Sequence, residues 1–147
     1  MEREAHRTDR GMKTTRPQSV NRKQVEQFLA SAQNKAVAAS KNLAIDAEAA
    51  YQIAYEAMLK GSLALMLSHG SRPRVQLGHH RAIIEFAQQQ LDPKLAPTFA
   101  LFDRMRRKRN DAFYDVALIT DSEAKEAVET AENYLALVSK HISNLLK

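Results

Sequence analysis

Residues 120–146 read TDSEAKEAVETAENYLALVSKHISNLL. Thr120 stands three residues ahead of Glu123, the spacing of a capping box: the hydroxyl accepts from the backbone of the third helical residue while the glutamate reaches back to the cap. Glu123, Glu126 and Glu129 lie toward the positive end of the helix dipole. Ala124, Val128, Ala131, Leu135, Val138, Ile142 and Leu145 return at three- and four-residue steps, which places them on one face of an α-helix. The same period, followed upstream, organises the rest of the chain.

Val25, Phe28, Leu29, Ala32, Ala36, Ala39 and Leu43 predict a first helix that begins after Ser19. A second, from about Asp46, carries Ala50, Ile53, Ala54, Ala57, Met58, Ala64 and Leu65, with Tyr51 and Tyr55 one turn apart on its flank. Gly61 within it predicts a close helix crossing, and the alanine-rich stripes let helix axes approach. Residues 70–78 form the clearest loop, punctuated by Gly70, Pro73 and Gly78. A third helix runs from about His79 to Gln90, burying Ile83, Phe86, Ala87 and Leu91, and Asp92-Pro93 stops it. Pro97 suits the first turn of a fourth helix, where its missing N–H costs nothing. No segment alternates as a strand would. The expected fold is all-α, an up-and-down bundle of four to five helices over residues 19–147, behind a disordered, polar and basic leader at residues 1–18.

With 147 residues the chain has room for one domain with a real core. The absence of cysteine excludes disulfide scaffolds, zinc–thiolate sites and thiol nucleophiles. No apolar run approaches the ~20 residues that cross a bilayer, and the first residues lack the apolar stretch of a secretory signal. A cytoplasmic protein with no membrane partner is expected. A net charge of +5 and a pI near 9.6 permit contact with nucleic acid, but the placement of the charge decides. The chain has no glycine-rich phosphate loop, dinucleotide fingerprint or serine elbow, so neither cofactor nor metal is expected. His79 and His80 diverge on a helix and suit hydrogen bonding at a helix start better than a metal clamp. His141 reads as a flank residue of the last helix.

The charge concentrates in Arg104, Arg106, Arg107, Lys108 and Arg109, followed by Asn110, Asp111, Ala112, Phe113, Tyr114 and Asp115. Consecutive helical residues are about 100° apart, so these cations cannot share one face. The buried stripe of Leu101, Phe102 and Met105 continues through Arg109, while Arg104, Arg107 and Lys108 fall off it. Arg109 is therefore directed at the core or a partner helix. It must either pair with a carboxylate or line a polar cleft. Asp111 has the four-residue spacing to pair with Arg107.

Arg109-Asn110, three residues and then Tyr114, at the end of a fourth helix and ahead of an acidic-start fifth, resembles the signature region of HEPN domains. The alanine-rich hairpin, Ser71-Arg72-Pro73, and Gly78-His79-His80 opening a third helix are similar to the family's upstream part. The resemblance spans roughly residues 20–147. It implies a small helical bundle that works as a homodimer, with RNA as the target in toxin–antitoxin or defence systems. A metal-independent endoribonuclease centre would be built on Arg109, Asn110 and Tyr114, with Arg106, Arg107, Lys108 and His80 as binding residues. The family's motif has a histidine separated from the arginine by four to six intervening residues; here Tyr114, Asp115 and Val116 occupy those positions. Tyrosine, with an ordinary pKa near 10, is a poor base at neutral pH. Two functions stay open on this reading: an RNA-directed module with a degenerate ribonuclease site, or a non-catalytic dimerisation module that pairs with a nucleotidyltransferase. If the bundle folds as the family does, His80 approaches the arginine and restores an imidazole.

Overall fold

The computed structural model describes residues 15–74, 79–114 and 119–147. Among them are five α-helices: α1 Arg22–Asn42, α2 Ala47–Ser68, α3 His79–Gln90, α4 Ala96–Tyr114 and α5 Asp121–Leu145. The protein is an all-α bundle. None of the described helices is long and apolar enough to cross a membrane.

Local chemistry sets the helix starts. The Asn21 side chain accepts from Gln24 N–H and starts α1 two residues later than Ser19 implied. Asp46 accepts from Glu48 and Ala49 N–H at the head of α2. Thr120 and Glu123 form the complete capping box of α5. Between α3 and α4, Asp92 caps a single 3-10 turn, Pro93–Leu95.

α2 is the central helix and packs on α1, α3, α4 and α5. Lys60 donates to Ser31 Oγ at 3.0 Å and Lys35 pairs with Glu56 at 3.3 Å, so α1 and α2 run antiparallel. Tyr134 meets Ser62 and His141 meets His69, which sets α5 parallel to α2. α4 runs antiparallel to α5, with Lys108 on Glu123 and Phe99 and Phe102 on Tyr134. α3 begins beside Tyr55 and brings Phe86 to His69, so it shares the sense of α2. Chain direction thus alternates at α1–α2, α3–α4 and α4–α5, with α2, α3 and α5 sharing one sense.

The core is thin where alanines face each other (Ala32, Ala36, Ala39, Ala54, Ala57, Ala64, Ala131) and thick around Tyr55, Phe99, Phe102, Met105 and Tyr134. Tyr51 and Tyr55, expected on a flank, are 2% and 0% exposed; α2 is surrounded, so it has no free flank at that level. α2 continues through Gly61, and the expected close crossing is there: a Cβ built on Gly61 would sit 2.4 Å from Leu135 Cδ2. Leu135 is itself buried and has little room to swing. Gly61→Val should therefore cost about 1–3 kcal/mol through overpacking, read as a lower melting temperature by circular dichroism; an unchanged melt would show that Leu135 relocates freely.

Two expectations need correction. Thr15–Pro17, assigned to the disordered leader, is strand β1, and Ser71–Pro73, assigned to the loop, is strand β2. They pair antiparallel as Thr15↔Pro73, Arg16↔Arg72 and Pro17↔Ser71. Gly70, with φ at +76°, makes the turn out of α2 that a side chain would strain, and its carbonyl accepts from Gln18 N–H at 2.9 Å. Three-residue strands are too short to alternate, and their partners lie over fifty residues apart in the chain. Residues 1–14 and 75–78 of the expected leader and loop lie outside the described residues.

Candidate functional site

Arg109 reaches the site because α4 keeps its phase. Phe102 and Met105 are fully buried, and Arg109, one turn beyond Met105, turns toward α2 half-buried. Its guanidinium carbon lies 5.8 Å from the centroid of the Tyr55 ring, within cation–π range. The Tyr55 hydroxyl lies 3.2 Å from His80 Nδ1 at the first turn of α3. Three helices thus bring Arg109, Tyr55 and His80 together across positions 55, 80 and 109. Phe102 closes the buried side of the tyrosine, edge-on at 5.7 Å.

Electrostatics fixes the protonation states. Burial pushes the Tyr55 hydroxyl up to about 12, against the opposing pull of Arg109 and Arg106. Burial also lowers His80, as do His79, Arg109 and Arg106, with Glu56 opposing. Near neutral pH the tyrosine is therefore protonated and the imidazole neutral. The 3.2 Å contact has two forms: Tyr55 donates to Nδ1 and the imidazole hydrogen sits on Nε2, or Nδ1–H donates to the phenol oxygen. The arrangement gathers a guanidinium and an imidazole around one phenol, two groups suited to an oxyanion such as a phosphate oxygen.

Three other cations of the run, Arg106, Arg107 and Lys108, are engaged within the fold, while Arg104 is exposed. Arg106, half-buried, donates to Asp103 Oδ1 through Nε at 3.2 Å and Nη2 at 3.0 Å. Arg107 pairs with Asp103 Oδ2 at 3.2 Å, one turn back, in place of the expected Asp111, which is exposed. Lys108 donates to Glu123, holding that carboxyl below its usual range. Among the described residues the ion pairs of α4 use Asp103 and Glu123, and none involves Arg109. Asn110 is exposed. Tyr114 ends α4, and its side chain lies outside the described residues.

Sequence reasoning did not place Tyr55 in this site. The available signal was its half-turn position beside the alanine stripe of α2, which does not distinguish a core tyrosine from a site tyrosine.

A second histidine contact lies at the far end of α2. His69 Nε2 and His141 Nε2 are 3.0 Å apart with ring centroids at 5.2 Å, nearly end to end, so one ring donates to the other. His141 is thus half-buried against α2 rather than a free flank residue. Burial, then His141, lowers the pKa of His69. A depressed folded value means that the unfolded chain takes up the proton first. The stabilisation is complete above the ordinary imidazole value near 6.5 and is lost as pH falls from there through the folded value. The melting temperature should therefore drop between pH 7.5 and 5.5, and His69→Gln should flatten that dependence; equal slopes in the two proteins would dismiss the pair as its source.

No protein-family model, no curated protein and no solved structure matches this chain.

Proposed function

We propose that this protein is an RNA-directed, HEPN-like helical module of the toxin–antitoxin or defence type, whose centre binds phosphodiester through Arg109 and His80. The observation that carries the reading is the half-buried Arg109 guanidinium, stacked on Tyr55 beside His80, with no ion pair among the described residues. A guanidinium in that setting is costly without an anion. Tyr55 does for it what a carboxylate would otherwise do, yet leaves its N–H groups for an incoming oxygen. In this reading Tyr55 donates to Nδ1 and the His80 hydrogen sits on Nε2, so His80 supplies a donor rather than the base that a 2′-hydroxyl requires. The ribonuclease site is degenerate on this reading, and binding outlasts chemistry.

The test is binding of labelled single-stranded RNA to the purified full chain in EDTA, with the RNA length followed in parallel. Hydrogen bonds to charged groups contribute about 1.5–3 kcal/mol, so Arg109→Ala should weaken binding at least tenfold. Arg109→Lys should not restore it, because a point charge cannot stack and fork as a guanidinium does. Equal affinity in wild type and Arg109→Ala would end the proposal. Arg109-dependent shortening of the RNA would instead show that the site is active and overturn its degeneracy.

A further inference from the structure

The β1–β2 ribbon carries a second arginine cluster, without an ion pair among the described residues. Arg16 and Arg72 are cross-strand partners and therefore project from the same face of an antiparallel ladder. Directly opposed like charges weaken such a ladder. A ribbon built for stability alone would place a carboxylate at one of the two positions. Instead Arg74 follows, its Nε donating to the Thr15 carbonyl at 3.5 Å. None of the ion pairs among the described residues involves Arg16, Arg72 or Arg74. Among the described residues, Arg72 Nε is buried without a hydrogen-bond partner, so none of them supplies an acceptor for that donor. An oxyanion held between the two guanidiniums would remove the repulsion, and turning the Arg72 fork toward it would satisfy the stranded N–H.

The ribbon is tied to the centre already described. Arg74 and His80 are six residues apart, a backbone separation of at most about 22 Å even for a fully extended chain. One nucleic-acid strand spans that distance with several phosphates. We infer that Arg16 and Arg72 form a second phosphate site, which holds the backbone of the same single-stranded RNA a few nucleotides from Arg109 and His80. This inference rests on the RNA-directed reading, and RNA length separates the two.

The experiment compares a three-nucleotide and a fifteen-nucleotide RNA, binding to the purified full chain over a salt series. The variants are Arg16→Gln, Arg72→Gln, Arg72→Lys and Arg109→Ala. Arg16 is exposed, so Arg16→Gln folds even if a change at Arg72 does not, and melting curves verify each protein. Arg16→Gln and Arg72→Gln should weaken the long RNA tenfold or more and leave the short one unchanged. Each should reduce the salt slope by about 0.7, the value for one lost phosphate contact on a single strand. Arg72→Lys should keep the slope and lose part of the affinity. Without RNA, Arg16→Gln should melt no lower than wild type, since it removes a repulsion. Unchanged long-RNA affinity in both glutamine variants, with Arg109→Ala still impaired, overturns the ribbon site and spares the centre. Weakening in the glutamine variants with Arg109→Ala unaffected establishes the ribbon and removes the centre. No RNA binding by the wild type ends both.

Discussion

Tyr134→Ala should cost about 3–5 kcal/mol, the range for emptying a large aromatic position in a core, and lower the melting temperature by about 10–20 °C. Tyr134 is 1% exposed and meets Phe99 and Phe102 edge-on, each at 5.8 Å. Removing it leaves a cavity where α2, α4 and α5 meet, and the helices on each side are held by other contacts that prevent collapse. Domains of this size hold only about 5–15 kcal/mol in total, so the variant would be partly unfolded at moderate temperature. Tyr134→Phe separates the ring from the hydroxyl. Ser62 gives its hydrogen to the Met58 carbonyl at 2.8 Å, so the 2.6 Å contact has Tyr134 donating to Ser62 Oγ. Burial pushes that phenol's pKa well up, which keeps the donor in place. Its loss should cost about 0.5–1.5 kcal/mol. Urea melts of the two variants measure the difference; comparable losses would mean that the hydrogen bond, not the ring, holds this junction.

Tyr55 yields the second large effect, and here stability and site part company. Tyr55→Ala removes a fully buried ring that touches Phe102, His80 and Arg109, again for about 3–5 kcal/mol. Tyr55→Phe keeps the ring beneath the guanidinium and deletes the hydroxyl that meets His80 Nδ1. Its melting temperature should stay within a few degrees of wild type. His80, no longer held in one tautomer, should show mixed Nδ1–H and Nε2–H forms by nitrogen NMR. RNA affinity should fall about fivefold, the equivalent of one oriented hydrogen bond near 1 kcal/mol. If the His80 tautomer and the affinity both match wild type, Tyr55 is a packing residue and its hydroxyl has no part in the site.

The relation between Arg109 and the rest of its basic run follows from the same geometry. Asp103 sits one turn before Arg106 and Arg107 and takes both, and Glu123 at the head of α5 takes Lys108. These surface pairs contribute little to stability. Their effect is to remove three cations from competition, leaving Arg104 exposed to solvent and Arg109 turned inward over Tyr55.

The helices were legible in the sequence because their causes are local. A capping residue, a first-turn proline and an apolar step of three or four residues act within one or two turns, and Thr120, Pro97 and the stripe of α5 state them outright. The inward phase of Arg109 was legible for the same reason, since Phe102 and Met105 set the register of α4. What surrounds Arg109 was not. Tyr55 and His80 come from positions 25 residues apart on two other helices, and their meeting depends on how α3 and α4 dock on α2. The β1–β2 ribbon is a further case: strands of three residues carry no period, and the pairing of Arg16 with Arg72 exists only once the chain has closed over the intervening helices. Short-range order in this protein was written in the spacing of side chains; long-range neighbours were decided by packing around α2, which no local pattern encodes.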